Sequence, residues 1–136
     1  MAWLVDTCIL LDVAMGDPLF AAKSLALLKA KRPDGLAICQ VSYVELAPMF
    51  RGNHADATAF LSTLGVSAPG SWTEVDARES FSAWARFVAR RREQQLPRRP
   101  LADVLIGACA ARFDGLLTRN TADFRSLFPD LNLVAP

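Results

Sequence analysis

Four acids, Asp6, Glu45, Asp103 and Asp123, fall where a chain of alternating strands and helices would place a site. Asp6 directly follows the apolar run Ala2-Trp3-Leu4-Val5, and Glu45 lies one helical turn beyond the run Leu36-Ala37-Ile38-Cys39. Asp123 follows Gly115-Leu116-Leu117-Thr118, and Asp103 sits in the first turn of an apolar segment that begins after Pro100. Carboxylates held together repel: two unit charges about 4 Å apart cost roughly 4 kcal/mol at an effective dielectric near 20. A fold that gathers them offsets this with a cation or with shifted protonation. Oxygen donors without histidine or thiolate suit Mg²⁺ or Mn²⁺, ions that orient phosphates and assist phosphodiester hydrolysis.

Taken singly, each acid has an ordinary structural explanation. Asp6 fits a helix N-cap. Ser42-Tyr43-Val44-Glu45 fits a capping box, in which Glu45 reaches back to a backbone N–H. Asp103 complements a helix dipole, and Asp123 fits a polar turn or the cap of a short helix. Convergence of all four is what the functional reading requires.

The elements that must position them are legible as a coarse order. Short, continuously apolar runs predict strands buried on both faces at 2–5, 36–39 and 115–118, with further short strands at 72–75 and 132–134. Helical turns are predicted from Cys8 to Val13, and Asp17-Pro18 reads as a helix start running on to Pro33-Asp34-Gly35. Ser42 is expected to cap a helix through Leu46, with Pro48 near its end. A helix from about Ala55 to Leu64 stops at Gly65. Asp76 and Glu79 form a capping-box pattern ahead of Phe81, Trp84, Ala85 and Val88 at core spacing. Pro97 to Pro100 is a break, and Leu101 to Phe113 an Ala-rich helix. Asp12 is placed on the outer part of its helix. Alternation of this kind implies a mostly parallel sheet covered on both sides, whose ligand site gathers at the carboxyl ends of the strands.

Composition narrows the class. The 136 residues are 52% hydrophobic and 21% charged, which suits one compact domain and excludes disorder. A net charge of +1 does not advertise a polyanion partner, yet Arg86, Arg90, Arg91, Arg92, Arg98 and Arg99 face only Glu93 in their segment. Such a patch attracts RNA backbone or is simply a solvated face. Cys8, Cys39 and Cys109 show no pairing pattern, and with His54 the single histidine a Cys/His zinc site is excluded. No run spans a bilayer, and Asp6 interrupts the first apolar run, so neither membrane insertion nor a signal peptide is expected and a cytoplasmic address follows.

Four motifs in order carry a resemblance. Val5-Asp6-Thr7-Cys8-Ile9-Leu10-Leu11-Asp12 resembles the opening signature of PIN-domain nucleases. Val41-Ser42-Tyr43-Val44-Glu45-Leu46 is similar to their second motif, Leu101-Ala102-Asp103-Val104 through Ala110 to the third, and Leu117-Thr118-Arg119-Asn120-Thr121-Ala122-Asp123-Phe124 to the fourth. The ordered set covers nearly the whole chain, and its size is similar to that of VapC-type toxins of toxin–antitoxin pairs. The resemblance implies one PIN-like domain over 1–136, a three-layer α/β/α sandwich with a central, mostly parallel sheet. It also implies Mg²⁺- or Mn²⁺-dependent endoribonuclease activity, homodimerisation and inhibition by a small cognate antitoxin. Carried over, Asp6 and Asp103 would ligate the principal ion and Glu45 would help directly or through water. Asp123 would be the fourth acid, since the position after Thr118-Arg119 holds Asn120, which would support it. Thr7 and Thr118 would orient carboxylates.

Two other classes fit the acids in part. A doubly wound phosphoacceptor or phosphotransferase domain wants a paired acid near Asp6 and a lysine after a late strand, and this chain has Thr7-Cys8 and Thr118-Arg119 there. A catalytically silent interaction module would need none of the acids intact. Trp72 and Trp84 are candidates for base stacking, with core packing favoured for Trp84 by its spacing.

Overall fold

The computed structural model describes residues 2–67, 69–94 and 100–136, with the side chains of 92–94 left aside. Its five strands are short: β1 (Trp3–Val5), β2 (Leu36–Ala37), β3 (Val66–Ser67), β4 (Leu116–Leu117) and β5 (Leu133–Val134). They form one sheet in the order β3-β2-β1-β4-β5, and every pairing is parallel. Among the described residues there are seven α-helices, α1 (Thr7–Met15), α2 (Ala21–Lys31), α3 (Gln40–Glu45), α4 (His54–Leu64), α5 (Glu74–Gln94), α6 (Leu101–Ala110) and α7 (Thr121–Leu127).

Side-chain alternation along the strands separates two cores. Trp3 and Val5 of β1 pack with Leu36, Leu117, Ile9 and Leu10 of α1, Leu27 and Leu28 of α2, and Leu61 of α4. Leu4, pointing the other way, packs with Leu116, Ile106 and Cys109 of α6 and Phe124 of α7. Helices therefore cover both faces, which makes the predicted α/β/α sandwich. A third cluster, Ala83 and Phe87 of α5 against Val104, Ala108, Leu127 and Phe128, adds α5 outside α6. Among the described residues no helix is long and apolar enough to cross a membrane.

Local chemistry explains most boundaries. Asp6 caps α1, and Gly16 ends it in the left-handed conformation at φ 63°. Asn53 accepts from the Asp56 N–H at the start of α4. Several expectations are corrected. Ser42 is not a cap: α3 begins at Gln40 with Cys39 before it, so Ser42 lies inside the helix, fully buried, and its hydroxyl has no partner among the described residues. The capping box at the next long helix lies three residues early, because Thr73 N donates to Asp76 Oδ2 and Asp76 N to Thr73 Oγ1. Trp72–Val75 is no strand; β3 lies at Val66–Ser67, directly after the Gly65 stop. Asp17 does bond the Leu19 and Phe20 N–H groups, but a turn intervenes and α2 starts at Ala21. Phe81 is 80% exposed, because Ala83 and Phe87 carry the buried stripe of α5 instead. Pro97, Arg98 and Arg99 lie outside the described residues.

Candidate metal-dependent nuclease site

Because all strands run in parallel, their carboxyl ends share one edge of the sheet. Asp6 follows β1 there, α3 with Glu45 leaves it after β2, and Thr118 to Asn120 leave it after β4. Asp103 reaches the same edge from the other direction. Its helix α6 feeds β4 through a short turn, so its C-terminus lies at the opposite edge and its first turn at the carboxyl ends. Arg112, just past α6, bonds Asp76 in the first turns of α5, so these two helices run antiparallel.

Asp6 is the centre of the bonded network. It is 6% exposed. Its Oδ1 accepts from the Thr7 N–H at 2.8 Å, and its Oδ2 accepts from the Thr118 hydroxyl at 2.7 Å, with the Cys8 thiol at 3.4 Å. Thr118 Oγ1 in turn accepts from the Asn120 N–H at 3.0 Å. With that lone pair engaged, the hydroxyl proton is aimed at Asp6. The Thr7 hydroxyl donates to Glu45 Oε1 at 2.7 Å, so one threonine joins Asp6 to Glu45. This bond replaces the capping-box alternative for Glu45. Burial pushes the Asp6 carboxyl up from its ordinary value of 3.8, opposed by the bonds from Thr118, Cys8 and Thr7 and by the charge of Arg119. Burial and the neighbouring Asp6 push the Cys8 thiol up to about 12, so it is a neutral thiol at pH 7.

Two other carboxylates are as deeply buried, and their treatment differs. Asp76, with no exposure, receives a two-pronged bond from Arg112 at 2.6 and 2.8 Å. Asp12, 4% exposed, receives one from Arg119 at 2.8 and 2.9 Å and a third bond from Ser24. Asp12 is thus internal rather than on the outer part of α1. Asp6 alone of the three has no guanidinium or ammonium among its bonding partners in the described residues. Burying a charge is costly unless it is paired, and Asp6 is the member of this set whose charge no bonded side-chain cation offsets among the described residues.

Glu45 and Asp123 are exposed, and Asp103 is half-buried. Among the described residues no three Asp, Glu, His or Cys side chains come together in a group that could hold a metal ion, so the four acids do not converge as one ligand set. The donor chemistry nevertheless fits Mg²⁺ or Mn²⁺. Such ions keep several waters and need only one or two carboxylates from the protein. A dehydrated, multidentate calcium or zinc cage does not fit. Asp123 lies in the first turn of α7, whose N-cap is Asn120, so both candidates for the fourth position leave the same turn as Thr118.

The basic segment divides. Arg90 Nη1 bonds Ser126 Oγ of α7 at 3.1 Å. Arg86 lines a cleft of about 600 Å³ with Glu79, Asp114, Gly115 and Asn132, at the edge where β4 and β5 begin, away from the acids. His54 opens α4 and meets the Tyr43 hydroxyl at 2.9 Å, as a cap-region residue. Trp84 packs against the third core cluster, and Trp72 against the second. Residues missed by sequence reasoning are Asp12, Ser24 and Arg119, which brace the turn behind Thr118. Only the acid–base pairing of residues 107 positions apart reveals them, and it has no local signature.

Comparisons with known proteins agree with this geometry. Over 99% of this chain and 98% of the other, the fold is similar to a chain in the crystal structure of VapBC2 from Rickettsia felis bound to a DNA fragment from their promoter, with a TM-score of 0.65 and 18% identity. At that identity the likeness is one of fold. A search of curated proteins finds no match. The family model for the PIN domain matches residues 3–127. That span holds all four acids and every strand but β5, and the protein belongs to the PIN-domain family, whose members are generally nucleases.

Proposed function

We propose that this protein is a Mg²⁺- or Mn²⁺-dependent endoribonuclease acting as a VapC-type toxin. The observation that carries the reading is Asp6: a carboxylate 6% exposed, at the carboxyl edge of a parallel sheet, with no cation bonded to it among the described residues, while Asp12 and Asp76 each have an arginine.

Asp6 and Asp103 would hold the ion, with Glu45 helping directly or through water. Asp123, supported by Asn120, would act at a second ion or through water. Bound there, the ion would orient a phosphate, activate water and offset charge on the leaving oxygen. The protein's own part is positional. Thr118 and the Thr7 N–H hold the Asp6 carboxylate in one orientation, and the Thr7 hydroxyl holds Glu45. No protein nucleophile is required, and the neutral Cys8 thiol is unsuited to be one. Arg90 and Arg91, on the half of α5 nearer the acids, would follow the RNA backbone.

The likeness to a VapBC2 structure favours a small antitoxin as partner, and a cytoplasmic homodimer belongs to the same reading through the family resemblance alone. The test is cleavage of total RNA with Mg²⁺ or Mn²⁺ by wild type and Asp6→Asn. Cleavage by wild type that is lost in Asp6→Asn is the expected result. Equal activity of the two overturns the reading, and absence of cleavage in both favours a silent interaction module.

A further inference from the structure

The Thr118-Arg119-Asn120 turn is pivotal to the site and leaves the sheet after one last strand bond, from the Thr118 N–H to Val134 O at 3.0 Å. β4 ahead of it is Leu116–Leu117 alone, and Asn120, which begins α7, makes no side-chain capping bond. The side-chain anchor on its far side is Arg119. The guanidinium donates through Nε to Asp12 Oδ2 at 2.8 Å and through Nη2 to Asp12 Oδ1 at 2.9 Å. Ser24 Oγ donates to Asp12 Oδ2 at 2.8 Å, and the Phe20 ring lies 4.1 Å from the guanidinium carbon. These contacts come from three places: Asp12 in the middle of α1, Ser24 in α2 and Phe20 just before it. Asp12 and Ser24 are buried, whereas a third of the Arg119 side chain is exposed.

Two planar groups joined by parallel hydrogen bonds fix orientation as well as distance, which a lysine cannot do. Stacking on Phe20 removes the remaining rotational freedom. The backbone of residue 119 is therefore pinned to the α1–α2 layer, and its neighbours are the two residues that aim a proton at Asp6. We propose that Arg119, locked by Asp12, Ser24 and Phe20, is a positioning residue that sets the Thr118–Asp6 hydrogen bond and thereby the affinity of the site for its divalent ion. The proposal rests on the nuclease reading above and adds to it a role for residues outside the acid set.

The test uses the full chain and two readouts. The first is amide hydrogen exchange at Asn120, whose N–H is bonded to Thr118 Oγ1 and reports the turn without any ion present. The second is the dissociation constant for Mn²⁺ measured by titration calorimetry. Variants are Arg119→Lys, which keeps the charge, and the double variant Asp12→Asn/Arg119→Gln, which leaves no lone charge buried and so protects folding. Both are expected to lose Asn120 protection and to bind Mn²⁺ about tenfold more weakly, the lower end of the effect of removing a group that orients a ligand. In RNA cleavage, kcat should fall at saturating RNA with KM within twofold of wild type.

Retained Asn120 protection in both variants overturns the proposal, and so does lost protection with unchanged Mn²⁺ affinity. Failure of the wild type itself to bind Mn²⁺ overturns the nuclease reading and this role with it, whereas binding by wild type and equally by the variants overturns this role alone.

Discussion

Thr118 Oγ1 lies 2.7 Å from Asp6 Oδ2, across 112 positions of sequence, and its proton points at the carboxylate because its lone pair is taken by the Asn120 N–H. One hydroxyl thus links the end of β4 to the end of the neighbouring β1. The two strands are adjacent and parallel, with Val5 opposite Leu117, so the residues immediately after them face each other across the edge.

Thr118→Val keeps the shape of the side chain and removes the hydroxyl. It is expected to weaken Mn²⁺ binding by about 10- to 100-fold. Calorimetric titration of wild type and variant checks this, and equal affinities would show that the hydroxyl is only a turn contact.

Asp6→Asn should cut RNA cleavage on the order of 100-fold or more, comparable to removing a principal electrostatic group from a site. It should also relieve the ion-free protein of a buried charge at pH 7, a gain reduced because the Thr118 hydroxyl, which donates to Asp6 Oδ2, must turn to accept from the new amide. The sign follows from the raised carboxyl of Asp6. Its stabilising form is the protonated one, fully present below the ordinary value of 3.8 and lost as pH rises through the folded value. The variant's advantage should therefore be absent in acid and grow towards neutrality, as urea unfolding at several pH values will reveal.

Arg112→Met breaks the other kind of buried acid. Asp76 would be left without its arginine in a fully buried position, at a cost of about 2–3 kcal/mol. The figure is below the usual range for a buried pair because the Arg112 side chain is 35% exposed. Burial works against the Asp76 charge, but Arg112 and Thr73 outweigh it and hold the carboxyl below 3.8. Its stabilisation is present above that value and lost as pH falls through the folded value, so wild type and variant should converge in acid. Thermal melts at pH 7 and pH 3 separate the outcomes; a constant gap would contradict the ion pair as the cause.

Gly107→Ala places a methyl group inside the Phe128 ring, which is itself buried in the third core cluster. Alanine gains about 1 kcal/mol of helix propensity over glycine. Displacing a packed ring costs roughly 1–3 kcal/mol, and the net effect is expected to be destabilising. A higher melting temperature in the variant would show that Phe128 moves aside freely.

How much of this was legible beforehand differs by residue. The buried strands around Leu4, Leu36 and Leu116 announced themselves, because strands covered on both faces must be continuously apolar. The stops at Gly35 and Gly65 are local in the same way, each glycine adopting a positive φ, whereas the stop at Gly16 is seen only in the structure. Ser42 was misplaced because a serine three residues before a glutamate looks like a cap wherever it falls, and only the packing of α3 puts it inside the helix. Phe81 was misplaced because α5 has apolar residues on more than one side, and contact with α6 chose Ala83 and Phe87.

The order of motifs, the alternation of elements and the family were determined by the sequence alone, since each depends on periodicity and turn chemistry within a few residues. Which buried acid is paired was decided only in three dimensions. Asp6, Asp12 and Asp76 are equal as letters, but Arg119 and Arg112 reach two of them from 107 and 36 positions away. Long-range pairing of charges depends on how layers stack, and no local pattern encodes it. Among the described residues the tertiary structure therefore singles out Asp6 as the buried carboxylate with no cation bonded to it, which is the physical ground of the functional reading.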